Sequence, residues 1–176
     1  MRYWWANQNQ NTFRTETAGG YLWSPCHRSN GARNPFYDNV RLAQPGDMVF
    51  AFHESAIRAI GIVMESAIES KYPEMLPPPK DGEKASDPDT PGWLLNIAWL
   101  ELKTPFFPAQ HMTVLEPLLP DTHSPLTPTG RGLQGGRLLE LQQHLAIPLL
   151  QLVSGRNPDK LLKSSWKPSQ MKFQFD

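Results

Sequence analysis

Runs of apolar residues separated by polar and proline-containing segments predict a domain rich in strands. Residues 3–6 are aromatic and apolar and predict a first strand, while the amide-rich run 7–11 predicts a loop. Two apolar, β-branched runs at 48–52 and 57–63, joined by a short polar link, predict a hairpin. A long strand is expected at 93–102, so most of the core should come from a sheet.

Helices are predicted at fewer places. Asn34 followed by Pro35 is a helix-start signal, because the asparagine side chain can cap the helix and proline suits its first position. Further helical stretches are expected near 109–115 and 142–153, where Pro148 should kink the helix or confine it to part of that span.

These elements predict an α+β fold, a small and strongly curved mixed sheet or open β-barrel with helices packed outside it. The chain of 176 residues is long enough for one sizeable core. Proline-rich residues 72–91 predict a surface loop, and 127–136 a glycine-rich loop. We expect one domain over 1–153 and a polar linker or arm over 154–176.

The composition gives little support to catalysis. Cys26 is the one cysteine, and the five histidines lack metal-binding spacing, so no metal or other cofactor is expected. Ser24 has no glycine elbow, and the glycines at 130–136 fit the dinucleotide-binding pattern only with relaxed spacing. No apolar run approaches the ~20 residues that cross a bilayer. We therefore expect a soluble, intracellular binding protein rather than an enzyme.

The charge is unevenly distributed along the chain. The formal net charge is zero, which by itself argues against nucleic-acid binding. Residues 1–41, however, carry five bases and two acids, and residues 130–176 carry seven bases and three acids. Residues 65–101 carry three bases and eight acids. We hypothesise that the two basic segments share one face that binds nucleic acid.

Aromatic residues stand close to polar amides near the amino terminus. A flipped base needs flat surfaces for its faces and donors and acceptors for its edge, and such a mixture can supply both. Trp4, Trp5, Trp93 and Trp99 are expected to be core. Trp23 lies at a strand end after two glycines, where its ring either faces a cleft or belongs to the core.

Five segments, taken in order, resemble the EVE domain, a member of the PUA-like superfamily that is similar to YTH domains: 29–41, 45–50, 60–62, 91–97, and 117–119 with 130–132. The resemblance covers residues 3–153. It implies a PUA-like open barrel, in agreement with the fold expected from the pattern. It also implies a pocket that holds one modified base.

The resemblance assigns candidate residues to that pocket. Trp23 and Ser24 match the Trp-Ser pair of the YTH pattern, whose tryptophan forms one wall of an aromatic cage. The polar residues after the first strand, which the resemblance places against the edge of the base, are Asn7, Gln8 and Asn9. Tyr72 is the candidate for the second wall of the cage. Arg131 matches the basic residue that reaches the nucleic-acid backbone.

Further candidates follow if the base is a modified cytosine, as the likeness in the next paragraph implies. Gln134 and Asp38 are candidates for its polar edge, although Asp38 is alternatively a surface carboxylate paired with Arg41. Arg33 and Lys71 join Arg131 as candidates for contact with the phosphate backbone, with ordinary surface charge as the alternative.

The opening residues 3–8 and the stretch 30–39 look especially like EVE domains at the front of HNH-type, modification-dependent restriction endonucleases. That likeness implies recognition of 5-methylcytosine or 5-hydroxymethylcytosine in double-stranded DNA, in a prokaryotic cytoplasm. It also implies a C-terminal nuclease domain in a parent protein and a possible homodimer formed through that domain. The alternatives are a YTH-like module that reads a methylated base in single-stranded RNA, and an enzyme of the wider PUA-like group.

Overall fold

The sheet is built around the strand Tyr3–Asn7, which pairs with Met48–His53 in parallel and with Leu138–Leu141 in antiparallel orientation. The computed structural model describes residues 1–10, 12–28, 30–77, 89–133 and 136–158. The strands within these ranges are β1 (Tyr3–Asn7), β2 (Tyr21–Pro25), β3 (Met48–His53), β4 (Ala56–Val63), β5 (Ile68–Ser70), β6 (Gly92–Phe106) and β7 (Leu138–Leu141). Their order is β2-β6-β4-β3-β1-β7, and β5 pairs with β6, so they form one strongly curled, open half-barrel.

Helices cover this sheet. They are α1 (Phe13–Gly19), α2 (Pro35–Leu42), α3 (Met112–Leu115) and α4 (Gln143–Arg156), with 3₁₀ turns at Pro108–His111 and Glu116–Leu118. The predicted α+β class and the curved, open barrel are therefore confirmed. None of the described helices is both long enough and apolar enough to span a membrane.

Both faces of β1 are buried. Successive side chains of a strand point to opposite faces. Trp5 packs in a cluster with Phe50 and Ile60, while Trp4 packs on the other face with Leu22. Both tryptophans are fully buried, as expected of core residues.

The predicted hairpin is confirmed. β3 and β4 are antiparallel and are joined by Glu54 and Ser55. Both residues have positive φ values, of 47° and 62°, as a tight turn with the twist of the flanking strands requires. This hairpin forms the middle of the sheet.

The start of α2 also agrees with the prediction. The Asn34 side chain accepts a hydrogen bond from the Phe36 backbone N–H at 3.1 Å, and Pro35 occupies the first turn. Val40 of this helix is fully buried in the cluster that contains Leu22. The helix therefore covers the Leu22 face of β2.

Several elements differ from the sequence-based expectation. A helix, α1, begins at Phe13, where only a loop had been expected, and the short strand β7 follows the glycine-rich loop. α4 runs through Pro148 to Arg156, so the proline does not confine it, because Leu145 and Leu149 hold it in the core. The helix passes the boundary expected at residue 153, and residues 159–176 of the expected arm lie outside the described residues.

Candidate functional site

A second group of aromatic side chains lies apart from the two core faces of β1. Tyr21 and Trp23 alternate with Leu22 along β2, so their side chains share the face opposite Leu22. They pack with buried Leu76 and with the partly buried Tyr72 and Leu94. We call these five residues the aromatic cluster.

Trp23 is in contact with its predicted partner, Tyr72. Their ring centroids are 5.1 Å apart and the ring planes meet at 77°, an edge-to-face contact. The Tyr72 hydroxyl donates to the Pro77 carbonyl at 2.7 Å and so closes the 72–77 loop on itself. Because Trp23 is 5% exposed, the cluster is closed in this conformation.

Gly92 allows the Trp23 ring to reach this position. The strand β6 brings Gly92 opposite Pro25, and the indole lies directly over the glycine. A methyl group on residue 92 would overlap the ring. The Trp23 ring can therefore occupy this position only because residue 92 has no side chain.

Three buried polar atoms, two in this cluster and one on Gln8, have no hydrogen-bond partner among the described residues. They are the indole Nε1 of Trp23, the hydroxyl of Tyr21 and the side-chain oxygen of Gln8. All three residues are at least nine-tenths buried. An unsatisfied buried polar group costs about 1–3 kcal/mol, so such groups are rare in a protein core.

A buried carboxylate links these residues. Glu16 is fully buried and accepts hydrogen bonds from the Trp23 backbone N–H at 2.9 Å and from the Gln8 side-chain nitrogen at 3.0 Å. It also accepts from the Arg137 guanidinium. Gln8 and Trp23 are thus held by one carboxyl group.

Arg137 completes this network from the start of β7. Its Nε and Nη2 donate to the Trp23 carbonyl at 2.9 and 2.7 Å, and its Nη1 donates to the Asn7 carbonyl at 3.1 Å. The side chain is 14% exposed. Arg137 pairs its charge with Glu16 and donates to backbone carbonyls of both strands, so it holds β2 against the end of β1.

Tyr21 lies in the field of the same network. Burial raises the pKa of its phenol above the ordinary value, nearby Glu16 and Tyr72 raise it further, and Arg137 opposes the rise. The hydroxyl is therefore protonated at neutral pH and can donate or accept a hydrogen bond.

The structure gives Asn7 and Asn9 supporting positions. The Asn7 side chain accepts from the Trp5 indole at 2.9 Å and donates to the carbonyls of Leu133 and Gly136. Asn9 accepts from the backbone N–H and hydroxyl of Thr12, just before α1. Of the three polar residues predicted here, Asn7 ends β1 and the other two follow it, and Gln8 alone has an unpartnered side-chain atom among the described residues.

Ser24 and Asp38 lie on the other side of β2. Ser24 is fully buried and alternates with Trp23, so it belongs to the Leu22 face. Asp38 is on α2, which covers that face, and it pairs with Arg33 at 2.6 Å rather than with Arg41. The structure therefore does not bring Asp38 to Trp23, because the sheet lies between them.

The basic candidates lie at the surface. Arg33, Lys71 and Arg131 are exposed. Lys71 pairs with Asp89 at 2.6 Å, next to Tyr72 at the edge of the aromatic cluster. Gln134 lies outside the described residues. Among the residues that the structure describes, no group of three His, Cys, Asp or Glu side chains is arranged to hold a metal ion.

Sequence reasoning missed Tyr21, Glu16 and Arg137. Tyr21 is two residues before Trp23, and strand alternation would have placed both on one face. Glu16 and Arg137 are 121 positions apart in sequence, and no local pattern connects them.

Several solved structures share this fold. A hypothetical protein from Leishmania major is 14% identical, with a TM-score of 0.54 over 88% of this chain and 96% of that one. A mutant of ZmASCH from Zymomonas mobilis is 7% identical, with a TM-score of 0.53 over 86% of this chain and 99% of that one. The Pho92 YTH domain in complex with m6A is 10% identical, with a TM-score of 0.52 over 92% of this chain and 90% of that one.

These likenesses place the chain among PUA-like and YTH-like folds. No protein-family model matches the sequence, and no curated protein matches it.

Proposed function

We propose that this chain is a module that reads a modified base in nucleic acid, and that the base is a modified cytosine flipped out of duplex DNA against Trp23. The observation that carries the proposal is the aromatic cluster with its unpartnered polar atoms. A flipped base needs ring surfaces for stacking and polar groups for its edge, and this site offers both. Among proteins of this fold, the Pho92 YTH domain was solved with m6A.

Entry of a base requires the aromatic cluster to open. Leu76 is 4% exposed and packs with Tyr21 and Trp23, where a stacked base would need space. Leu76 is held by a turn in which its N–H donates to the Pro73 carbonyl at 2.9 Å. Because residues 72–77 belong to a loop, a base can displace Leu76 without breaking the sheet.

Cytosine in DNA is the finer part of the proposal. It is supported by the resemblance to EVE domains of the HNH-linked type, and by the excess of basic residues in 1–41 and 130–176. On this proposal the chain is the specificity domain of a modification-dependent endonuclease, with cleavage in a separate C-terminal domain, and is not itself an enzyme. The alternative is a reader of methylated adenine in single-stranded RNA, which the YTH likeness favours.

Equilibrium binding tests the proposal directly. Duplexes that carry 5-methylcytosine, 5-hydroxymethylcytosine or unmodified cytosine at one position should differ in affinity, with a modified duplex bound more tightly. Equal affinity for all three would overturn the cytosine proposal. A preference for single-stranded RNA with N6-methyladenine would support the RNA alternative.

The Trp23→Ala variant tests the site. Stacking on an aromatic side chain is worth ~1–3 kcal/mol per base, so this variant should bind the modified duplex about tenfold or more weakly. Salt-dependent binding to unmodified DNA should persist, because it depends on phosphate contacts. Trp93→Ala is the matched control, since Trp93 lies under Arg41, outside the aromatic cluster. Unchanged discrimination in a folded Trp23→Ala protein would exclude Trp23 as the stacking surface.

A further inference from the structure

The orientation of the Gln8 amide is set by Glu16. The carboxylate of Glu16 can only accept hydrogen bonds, so the Gln8 nitrogen must face it, at 3.0 Å. The Gln8 oxygen is thereby turned away from Glu16, and it is buried with no partner among the described residues. A glutamine held in this way keeps its nitrogen at the carboxylate and presents its oxygen, an acceptor, on the side away from Glu16.

The other two unpartnered atoms offer different chemistry. The Trp23 indole nitrogen is a donor in the plane of the stacking ring, and the Tyr21 hydroxyl serves as either donor or acceptor. The group that satisfies the Gln8 oxygen must be a donor, such as an N–H group.

We infer that Gln8, oriented by Glu16, selects bases that carry an exocyclic amine, and rejects bases that carry a carbonyl at the same position. Cytosine and adenine have an amine beside a ring-nitrogen acceptor on their pairing edge. Thymine and uracil have a carbonyl beside a ring N–H, the reverse order. This inference rests on the proposed function and adds to it the residue pair that determines which bases are accepted. Glu16 acts in it as a positioning residue.

Thymine is a stringent probe, because it differs from 5-methylcytosine at the pairing edge and carries the same methyl group. We would measure binding to a duplex with one 5-methylcytosine·G pair and to the same duplex with a T·G mismatch. A mismatched base is easier to flip, so the flipping step by itself would favour binding of the T·G duplex. The wild-type protein should nevertheless bind the 5-methylcytosine duplex at least about tenfold more tightly, because thymine would leave the Gln8 oxygen facing another acceptor.

The Gln8→Met variant keeps the length of the side chain and removes its amide. The ratio of affinities for the two duplexes should fall to about twofold or less as the acceptor is lost. A general loss of stability would weaken binding to both duplexes and would not change this ratio. Melting temperature and near-ultraviolet circular dichroism establish that the variant is folded.

The Glu16→Gln variant tests the orienting role. Its new amide still accepts from Trp23 and can donate to the Gln8 oxygen, which leaves the Gln8 nitrogen facing the ligand. The preference should then shift toward the T·G duplex relative to wild type. If this variant is folded and keeps the wild-type ratio, Glu16 does not orient Gln8 for recognition.

The outcomes separate this inference from the proposed function. A wild-type protein that does not distinguish 5-methylcytosine from unmodified cytosine overturns the cytosine proposal and this inference with it. A wild-type protein that prefers 5-methylcytosine, together with a Gln8→Met variant of unchanged ratio, overturns only the inference.

Discussion

The buried tryptophans of β1 and the tryptophan of β2 differ in how their indole nitrogens are used. Trp4 donates to the Asp47 carboxylate at 2.9 Å and Trp5 donates to the Asn7 side chain at 2.9 Å. Trp23 is almost as deeply buried, yet its nitrogen has no acceptor among the described residues. Burial therefore does not distinguish these tryptophans, whereas the hydrogen bonding of their indole nitrogens does.

The same contrast extends to the surroundings of each ring. Asp47, which accepts from Trp4, also accepts from the backbone N–H groups of Arg2 and Gln44. Around Trp23 the network satisfies the backbone, through Glu16 and Arg137, and leaves the indole nitrogen unpaired. On the proposed function, this network is a rigid frame that holds the side chains meant to contact the base.

We expect the largest loss of stability when the Glu16–Arg137 ion pair of this network is broken. Glu16→Ala would remove the fully buried carboxylate that pairs with the largely buried Arg137 side chain and would leave the Arg137 charge uncompensated. Breaking a buried ion pair in this way costs about 3–5 kcal/mol, which is a large part of the stability of a domain. Denaturant unfolding of wild type and variant measures the loss.

Glu140→Ala is the matched control for this experiment. Glu140 pairs with Arg2 at 2.8 Å, but both side chains are about two-fifths exposed. Exposed ion pairs contribute about 0–1 kcal/mol. If Glu16→Ala were as mild as Glu140→Ala, the buried network would not be the frame of the site.

A smaller difference in stability is expected between a variant of Trp4 and the same variant of Trp23. Trp4→Phe and Trp23→Phe remove the same atoms, but only Trp4→Phe breaks a hydrogen bond to a buried carboxylate. Hydrogen bonds to charged groups are worth about 1.5–3 kcal/mol, so Trp4→Phe should be the more destabilising by that amount. Thermal and denaturant unfolding of the two variants side by side gives the difference. Equal losses would show that the Trp23 nitrogen has a partner in solution that is worth as much as Asp47.

Local patterns predicted the parts of the fold that local chemistry determines. The hairpin of β3 and β4 follows from two β-branched runs, and α2 follows from Asn34 and Pro35. By contrast, α1 has seven residues and a single large apolar side chain, Phe13, so its sequence shows no helical periodicity. It is stabilised by tertiary contacts, above all those of Glu16.

The candidate site was predictable only in part, for the same reason. Trp23 and Tyr72 were identified, and the structure brings their rings together. Asp38 was assigned to the same pocket, but the sheet separates it from Trp23. Glu16 contacts residues 8, 23 and 137. Because residue 137 is far from the others in the sequence, no local pattern predicts this network.

We expect the smallest effect from Leu76→Ala. This variant should raise the affinity for the modified duplex, whereas Trp23→Ala should lower it. Leu76→Ala should reduce the packing that keeps the aromatic cluster closed, so that a larger fraction of molecules has an open site. Apparent affinity is the intrinsic affinity scaled by the binding-competent fraction, and we expect the variant to bind the modified duplex a few-fold more tightly. Met75→Ala is the control, because Met75 is 75% exposed on the same loop. Weaker binding by Leu76→Ala, with Met75→Ala unchanged, would instead mean that Leu76 packs against the bound base and forms one wall of its pocket.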